Sequence, residues 1–269
     1  MDNQNIQFAG SIPEFYDRHL GPVIFEPYAK DMAQRAARRA AAGTVLETAS
    51  GTGILTAHLR KVLPDSTRLI ASDLNQAMID FACLKQNMPS TIEWKQADAT
   101  VLPFSDRSFS AVVSQFGMMF IPEKSAAIQE AKRVLVEGGL FAFSVWDSLE
   151  HNHFGRTAHE VVGSFFDFDP PTFYQIPFGF HDPHLWINLL RKNGFNSPEA
   201  QLVSFEARSD SAESFAIGLV RGNPVSLAIR DRGLSFDSIV SAVRNALIRI
   251  GGDHPFRSPM QAYVFTAGA

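Results

Sequence analysis

Three acidic residues end three short β-prone runs. Glu47 lies in residues 44–48 (TVLET), Asp73 follows residues 68–72 (RLIAS), and Asp98 follows residues 92–97 (IEWKQA). Each suits a different partner. Glu47 offers a negative charge to a ligand ammonium group. Asp73 can accept two hydrogen bonds from the vicinal hydroxyls of a ribose. Asp98, with Ala99 beside it, can accept from an adenine amino group. If the three runs are neighbouring parallel strands, the acids share one sheet edge and together fit a nucleoside joined to an amino-acid-like cation.

Between Glu47 and the next helical stretch, residues 48–53 (TASGTG) place small residues at alternating positions. Ala49, Gly51 and Gly53 let backbone approach a ligand where a larger side chain would block it. A turn of this kind could instead cradle a phosphate. The dinucleotide fingerprint, however, wants glycine or alanine where this chain has Thr56, and the Gly-Lys-Ser/Thr of a P-loop is missing. An acid leading into the turn also repels a diphosphate. A nicotinamide dehydrogenase is therefore the disfavoured alternative.

These residues need rigid supports, and the sequence supplies them. Strands are expected at 44–48, 68–72, 92–97, 110–116 (SAVVSQF) and 140–146 (LFAFSVW). Helices are expected at about 28–42, 54–63, 76–85 and 125–135, and a turn at 137–139. Residues 110–116 are almost uninterruptedly apolar, as a strand covered on both faces should be. Strands alternating with helices imply βαβ units and a parallel sheet. Ligands then bind beyond the carboxyl ends of the strands. After Trp146 the rhythm breaks into an aromatic-rich stretch, residues 151–180. Helix is expected at 183–192, strands at 201–207 and 261–266, and helices near 211–220, 224–230 and 236–250 between those strands. Residues 1–30 mix aromatics with Gly and Pro and show no clean period.

Composition narrows the classes further. The net charge is −4 and no Lys/Arg-rich run occurs, so nucleic acid is not a favoured partner. The nearest basic cluster, residues 35–39 (RAARR), reads as the solvated face of a helix. A single cysteine, Cys83, excludes an internal disulfide and a Cys-based zinc site. It reads as a small core residue. The polar start (MDNQNIQ) lacks a signal-peptide pattern, no run is long enough to span a membrane, and a reducing, cytoplasmic setting is expected.

Four stretches carry a family resemblance: VLETASGTG, IASDLNQAMI, QADATVLPFSDRSFSAVVSQFGMMFIPE and EAKRVLVEGGLFAFSVW. Together they cover about residues 43–147 and resemble class I S-adenosylmethionine-dependent methyltransferases, in particular the ubiquinone/menaquinone C-methyltransferase branch. The resemblance implies an α/β fold: a Rossmann-like, mostly parallel seven-stranded sheet with helices on both faces, its last strand antiparallel. Here a helical insertion would separate the last two strands. One domain is expected, with residues 1–30 as an N-terminal cap, 31–147 as the cofactor-binding half and 148–269 as the substrate-side half.

The resemblance also implies site roles. Glu47, Thr48, Ala49, Ser50, Gly51 and Gly53 would surround the methionine part of S-adenosylmethionine. Asp73 would hold the ribose, with Leu74 and Met78 against sugar or adenine. Asp98 and Ala99 would read the adenine edge, and Gln115 and Phe116 would lie beneath the sulfonium. Tyr16, in a cap-like segment, could cover the cofactor, or serve simply as core. Ala49 stands where the family has glycine, a change expected to cost little.

The activity implied is methyl transfer to a small-molecule acceptor, leaving S-adenosylhomocysteine. Since the cofactor carries the activated group, proximity and orientation can suffice. Weak candidates for a general base are His19, His151 and His153. No metal is expected, because His151 and His153 with Asp147 lack a convincing further ligand. The aromatic stretch 154–180 could line a pocket for an apolar or aromatic acceptor, or be ordinary core. The helices of the insertion could mediate a homodimer. A divergent, non-catalytic S-adenosylmethionine-binding protein is the alternative.

Overall fold

The computed structural model describes residues 8, 10–39, 43–85 and 88–269. The polar start at 1–7 and the expected helix end at 40–42 lie outside them. Contacts divide the chain into two compact units. One comprises Tyr28–Trp146, His181–Val203 and Ala262–Ala269, the other Met1–Pro27, Asp147–Phe180 and Ser204–Gln261.

The first unit holds the body of a seven-stranded sheet. Its strands are β1 (Thr44–Thr48), β2 (Arg68–Asp73), β3 (Ile92–Gln96), β4 (Phe109–Gln115), β5 (Leu135–Trp146), β6 (Asn196–Ser209) and β7 (Phe256–Gly268), in the order β3-β2-β1-β4-β5-β7-β6. β6 and β7 each run on into the other unit. Strands β3, β2, β1, β4 and β5 pair in parallel, whereas β7 runs antiparallel to β5. The order reverses at β1, which pairs β2 on one side and β4 on the other. That reversal is the switch point where open sheets bind ligands. Val45, Leu46, Ala111, Val112 and Val113, on the two central strands, have no exposed surface.

Helices α2 (Glu26–Arg39), α3 (Ile54–Val62), α4 (Gln76–Leu84), α5 (Lys124–Val134) and α8 (Pro183–Lys192) alternate with these strands. α4 buries Met78, Ile79 and Ala82, which leaves the next residue turned outward. Cys83 is consequently exposed rather than a core residue. β5 starts five residues before the expected Leu140, and the expected turn is a bulge inside it. Phe109 pairs Leu135 while Ala111 pairs Leu140, and the extra residues include Gly138 at φ +73.

The second unit is mainly helical. A short helix α1 (Ile12–Phe15) leads into a π-helical segment, Tyr16–Phe25, which buries Leu20, Gly21, Val23, Ile24 and Phe25. Then come α6 (His153–Gly163) and α7 (Gln175–Gly179). Between β6 and β7 lie α9 (Ala212–Arg221), α10 (Val225–Asp231) and α11 (Phe236–Gly251), the expected insertion. α9 and α11 form its centre, with Phe154, Phe215 and Phe256 in aromatic contact. A Cβ at Gly218 would lie 2.7 Å from Leu20 Cδ2 and 2.8 Å from His19 Cβ, so α9 meets the π-helical segment backbone-close.

Candidate functional site

At the carboxyl end of β1 the chain turns sharply into α3. Ala49, Gly51 and Gly53 have φ of +53°, +55° and +79°. Glycine adopts this left-handed region freely, but alanine pays about 1–2 kcal/mol. Gly53 is needed twice over, because a Cβ there would lie 2.6 Å from Met88 Cε and 2.8 Å from Trp94 Cη2. Gly51 has open space instead, so its role is conformational. The methyl of Ala49 is accommodated by a second glycine: a Cβ at Gly117 would sit 2.3 Å from that of Ala49.

Two of the three acids are built into this turn. Asp73 is buried and accepts from Gly51 N–H through one oxygen and from Asn75 N–H through the other, both at 2.8 Å. Burial raises its pKa, and these donors oppose the rise. Glu47 is 1% exposed, and its Oε2 has no hydrogen-bond partner among the described residues. Burial pushes its pKa up to about 8. The Thr56 hydroxyl lies near enough to oppose this, and the Asp73 charge adds to it. Asp98 differs, being exposed with Oδ1 accepting from Thr100 N–H (2.8 Å) and Thr100 Oγ1 (2.7 Å).

Most of the orphaned atoms cluster at the same place. Besides Glu47 Oε2, the buried hydroxyls of Ser50, Thr52, Thr56 and Ser114 lack partners among the described residues. Buried polar groups without partners are rare and costly in folded proteins. Four of these five residues lie on the β1 end, the turn or the first turn of α3. A polar, partly cationic ligand held there would supply what they lack. The residues therefore fit the amino-acid portion of the expected cofactor.

Next to the turn, Phe116 follows β4 at φ +55°, a strained conformation for a bulky residue. It is locked by Phe116 N–H donating to Ser144 O (3.1 Å) and Ser144 Oγ (3.3 Å). Its ring stacks on Trp146 at 4.0 Å, and Tyr28 meets both rings edge-on at 5.3 Å. Leu74, 48% exposed, and Ala99 follow the ends of β2 and β3, and Met78 is buried in the first turn of α4. Thus Glu47, Thr48, Ala49, Ser50, Gly51, Gly53, Asp73, Leu74, Asp98, Ala99, Gln115 and Phe116 come together along the carboxyl ends of β1 to β4.

Sequence reading missed several supports. Lys85 Nζ donates to Thr52 O at 3.0 Å, and Gln96 Nε2 to Leu74 O at 3.0 Å. Gly117 was missed as well, although a glycine just after a strand end was the available signal.

The remaining candidates belong to the helical unit. Tyr16 stacks on Phe25 at 4.7 Å and meets Phe8 edge-on at 5.9 Å. His19 Nδ1 lies 2.9 Å from Ser214 Oγ, and burial lowers its pKa, so it is neutral at pH 7. His151 and His153 are exposed at the start of α6. In the aromatic stretch, Phe154, Phe173, Tyr174 and Phe178 are buried within the unit, while Phe168 is 69% exposed.

A family model for a methyltransferase domain matches residues 46–143, the segment that bears the turn and all three acids. Those residues are similar to a methyltransferase domain. Among curated relatives, a ubiquinone/menaquinone biosynthesis C-methyltransferase of Enterobacter sp. is 34% identical over 99 residues, 36% of this chain and 39% of the relative. A demethylmenaquinone methyltransferase of Lactobacillus johnsonii is 39% identical over 97 residues, 35% of this chain and 40% of the relative. The chain spans about two fifths of the length of these relatives. Among solved structures, phosphoethanolamine N-methyltransferase 2 of Haemonchus contortus, in complex with S-adenosyl-L-methionine, superposes with a TM-score of 0.56. That match is 14% identical and covers 97% of this chain and 60% of the other. Residues 46–143 are thus similar to the methyltransferase domain of ubiquinone/menaquinone C-methyltransferases, and the sheet shares its fold with a methyltransferase of known structure.

Proposed function

We propose that the protein is an S-adenosylmethionine-dependent methyltransferase acting on a small-molecule acceptor. The observation that carries this reading is the group of buried, partnerless polar atoms at the β1 end, with Glu47 Oε2 at its centre. A bound S-adenosylmethionine supplies a methyl group activated by sulfonium charge. In this reading Glu47 meets the ligand ammonium and sheds its proton to do so. The strained turn from Ala49 to Gly53 brings backbone against the methionine part. Asp73 already spends one acceptor site of each oxygen on a backbone N–H and gives the remaining ones to the ribose hydroxyls. Leu74 and Met78 pack against sugar or adenine, Asp98 and Ala99 border the adenine edge, and Gln115 with Phe116 forms the floor below the sulfonium.

Little proton chemistry is required of the protein, since orientation and exclusion of water carry most of a displacement of this kind. If the acceptor needs deprotonation, His19 is preferred to His151 and His153. A ring donating through Nδ1 to Ser214 would leave Nε2 as a free base, and the neutral form is already populated at pH 7. Tyr16 is proposed as a cover over the cofactor. An apolar or aromatic acceptor and a cytoplasmic setting complete the reading. Among the described residues no helix is long and apolar enough to cross a membrane.

Calorimetric titration with S-adenosylhomocysteine and, separately, with NAD tests the cofactor assignment. Micromolar binding of the former and none of the latter is expected. Binding of NAD alone would overturn it. Transfer of labelled methyl from S-adenosylmethionine to quinol-like and amine acceptors then tests the activity itself.

A further inference from the structure

Thr56 occupies an unusual position. It lies in the first turn of α3, is fully buried, and its hydroxyl has no hydrogen-bond partner among the described residues. A helical threonine ordinarily returns its hydroxyl to the carbonyl three or four residues back. The carbonyl four back is that of Thr52, and it is engaged by Lys85 Nζ at 3.0 Å. The hydroxyl of Thr56 lies instead beside the carboxyl of Glu47. The two groups form an adjacent buried pair, one a natural donor and the other an acceptor once ionised, and neither Thr56 Oγ1 nor Glu47 Oε2 completes a hydrogen bond.

We propose that Thr56 is a positioning residue: it donates to Glu47 when a cation at the β1 end draws that carboxyl into its charged form, and so aims the carboxylate at the ligand. The proposal rests on the cofactor reading above and deepens it. A buried carboxylate left bare is strongly disfavoured, so each hydrogen bond to it lowers the cost of ionisation. The titratable group acting on Glu47 is Asp73 on β2, whose charge works against ionisation. Neighbouring Val113 on β4 pairs Glu47 in the sheet and contributes no charge. Among the described residues Thr56 is therefore the favourable polar group beside this carboxyl.

The test uses Thr56→Val, which keeps the branched shape and removes the hydroxyl, and Thr56→Ser, which restores it. Two ligands are titrated: S-adenosylhomocysteine, which carries the ammonium, and 5′-methylthioadenosine, which lacks the amino-acid portion. Thr56→Val should weaken S-adenosylhomocysteine about tenfold, the size of a lost charge-assisted hydrogen bond. It should leave 5′-methylthioadenosine unchanged, and Thr56→Ser should recover most of the loss. Equal weakening of both ligands, or none, overturns the proposal.

A second measurement needs no ligand. Melting temperatures of the wild type and Thr56→Val are compared from pH 5 to pH 9, each with and without Glu47→Gln. The deficit of Thr56→Val should grow with pH when Glu47 is present and stay constant when it is Gln. A deficit independent of pH in both backgrounds overturns the proposal. Should the wild type bind neither ligand, the cofactor reading fails while this second measurement still decides the role of Thr56. Thr56→Ala replaces Thr56→Val if the valine variant does not fold.

Discussion

The carboxyl ends of β1 and β3 each present an acid, yet the two places have little else in common. At β1, Glu47 is buried beside hydroxyls that lack partners, and its charged form is suppressed. At β3, on the rim of the sheet, Asp98 is exposed and already satisfied by Thr100. Between them, Asp73 is buried but doubly held by backbone donors. The difference separates two meanings of an acid at a strand end. One is a component of the fold whose incomplete bonding anticipates a ligand. The other is a surface group that can assist a ligand but loses little without one. The central strand pair can sustain the first kind, because parallel neighbours on both sides withdraw it from water.

The largest effect is expected at Asp73. Replacing it with Ala leaves the N–H groups of Gly51 and Asn75 without acceptors and removes the carboxylate assigned to the ribose. S-adenosylhomocysteine affinity should fall by about 3 kcal/mol, and stability should fall with it. Unchanged affinity in a folded variant, read by calorimetry, would refute the ribose role. Next comes Gly117→Ala, whose new methyl collides with that of Ala49. It should cost about 2 kcal/mol in denaturant unfolding. Ala49→Gly in the same chain should return most of that loss, a coupling that independent sites would not show. Strictly additive effects would mean that the methyl of Ala49 and the missing side chain of Gly117 are unrelated.

The half that carries β1 to β5 was largely legible because its strands and helices carry clean periods bounded by Gly and Pro. β1 falls at the expected residues, and α3, α4 and α5 are displaced by one residue or less at each end. The helical unit was less legible for a physical reason. In the π-helical segment Glu26 N–H bonds Gly21 O, five residues back, and the buried residues Leu20, Gly21, Val23, Ile24 and Phe25 are nearly consecutive. A search for apolar spacing of three and four finds nothing there, and Pro22 inside the segment reads as a breaker. α6 was hidden differently, since its buried face includes Gly155 and Ala158, which add little apolar signal. At the site, residue types singled out candidate positions but not how much each is buried. The contrast between Asp73 and Asp98 comes from their surroundings: Asp73 is buried and accepts from the distant Gly51, whereas Asp98 is exposed and accepts from the local Thr100.

Glu47 allows a prediction in pH. Its folded pKa is raised to about 8 by burial, while in the unfolded chain it is an ordinary carboxyl. Below the unfolded value both states are protonated and the residue contributes nothing to the pH dependence. As pH climbs through the unfolded pKa towards 8, the unfolded chain ionises first and binds fewer protons, so stability falls. Glu47→Gln should remove that loss. Melting temperatures should match the wild type near pH 4 and exceed it by several degrees at pH 8. In the same variant S-adenosylhomocysteine should bind more weakly, and the tightening of wild-type binding with rising pH should vanish. A variant no more stable than the wild type at pH 8 would mean that Glu47 is charged and partnered in the free protein.

The smallest effect is expected at Asp98, and it decides whether the two strand ends differ at all. Asp98→Asn keeps an acceptor oxygen for Thr100 and removes only a charge that water already surrounds. An exposed charge acts weakly on a ligand, since the high dielectric and salt screen it. S-adenosylhomocysteine affinity should therefore change by less than about threefold, which is under about 1 kcal/mol. Stability should be unaffected. A loss as large as that of Asp73→Ala would show that the ligand buries Asp98 on binding, and the β3 end would then belong to the same class as the β1 end.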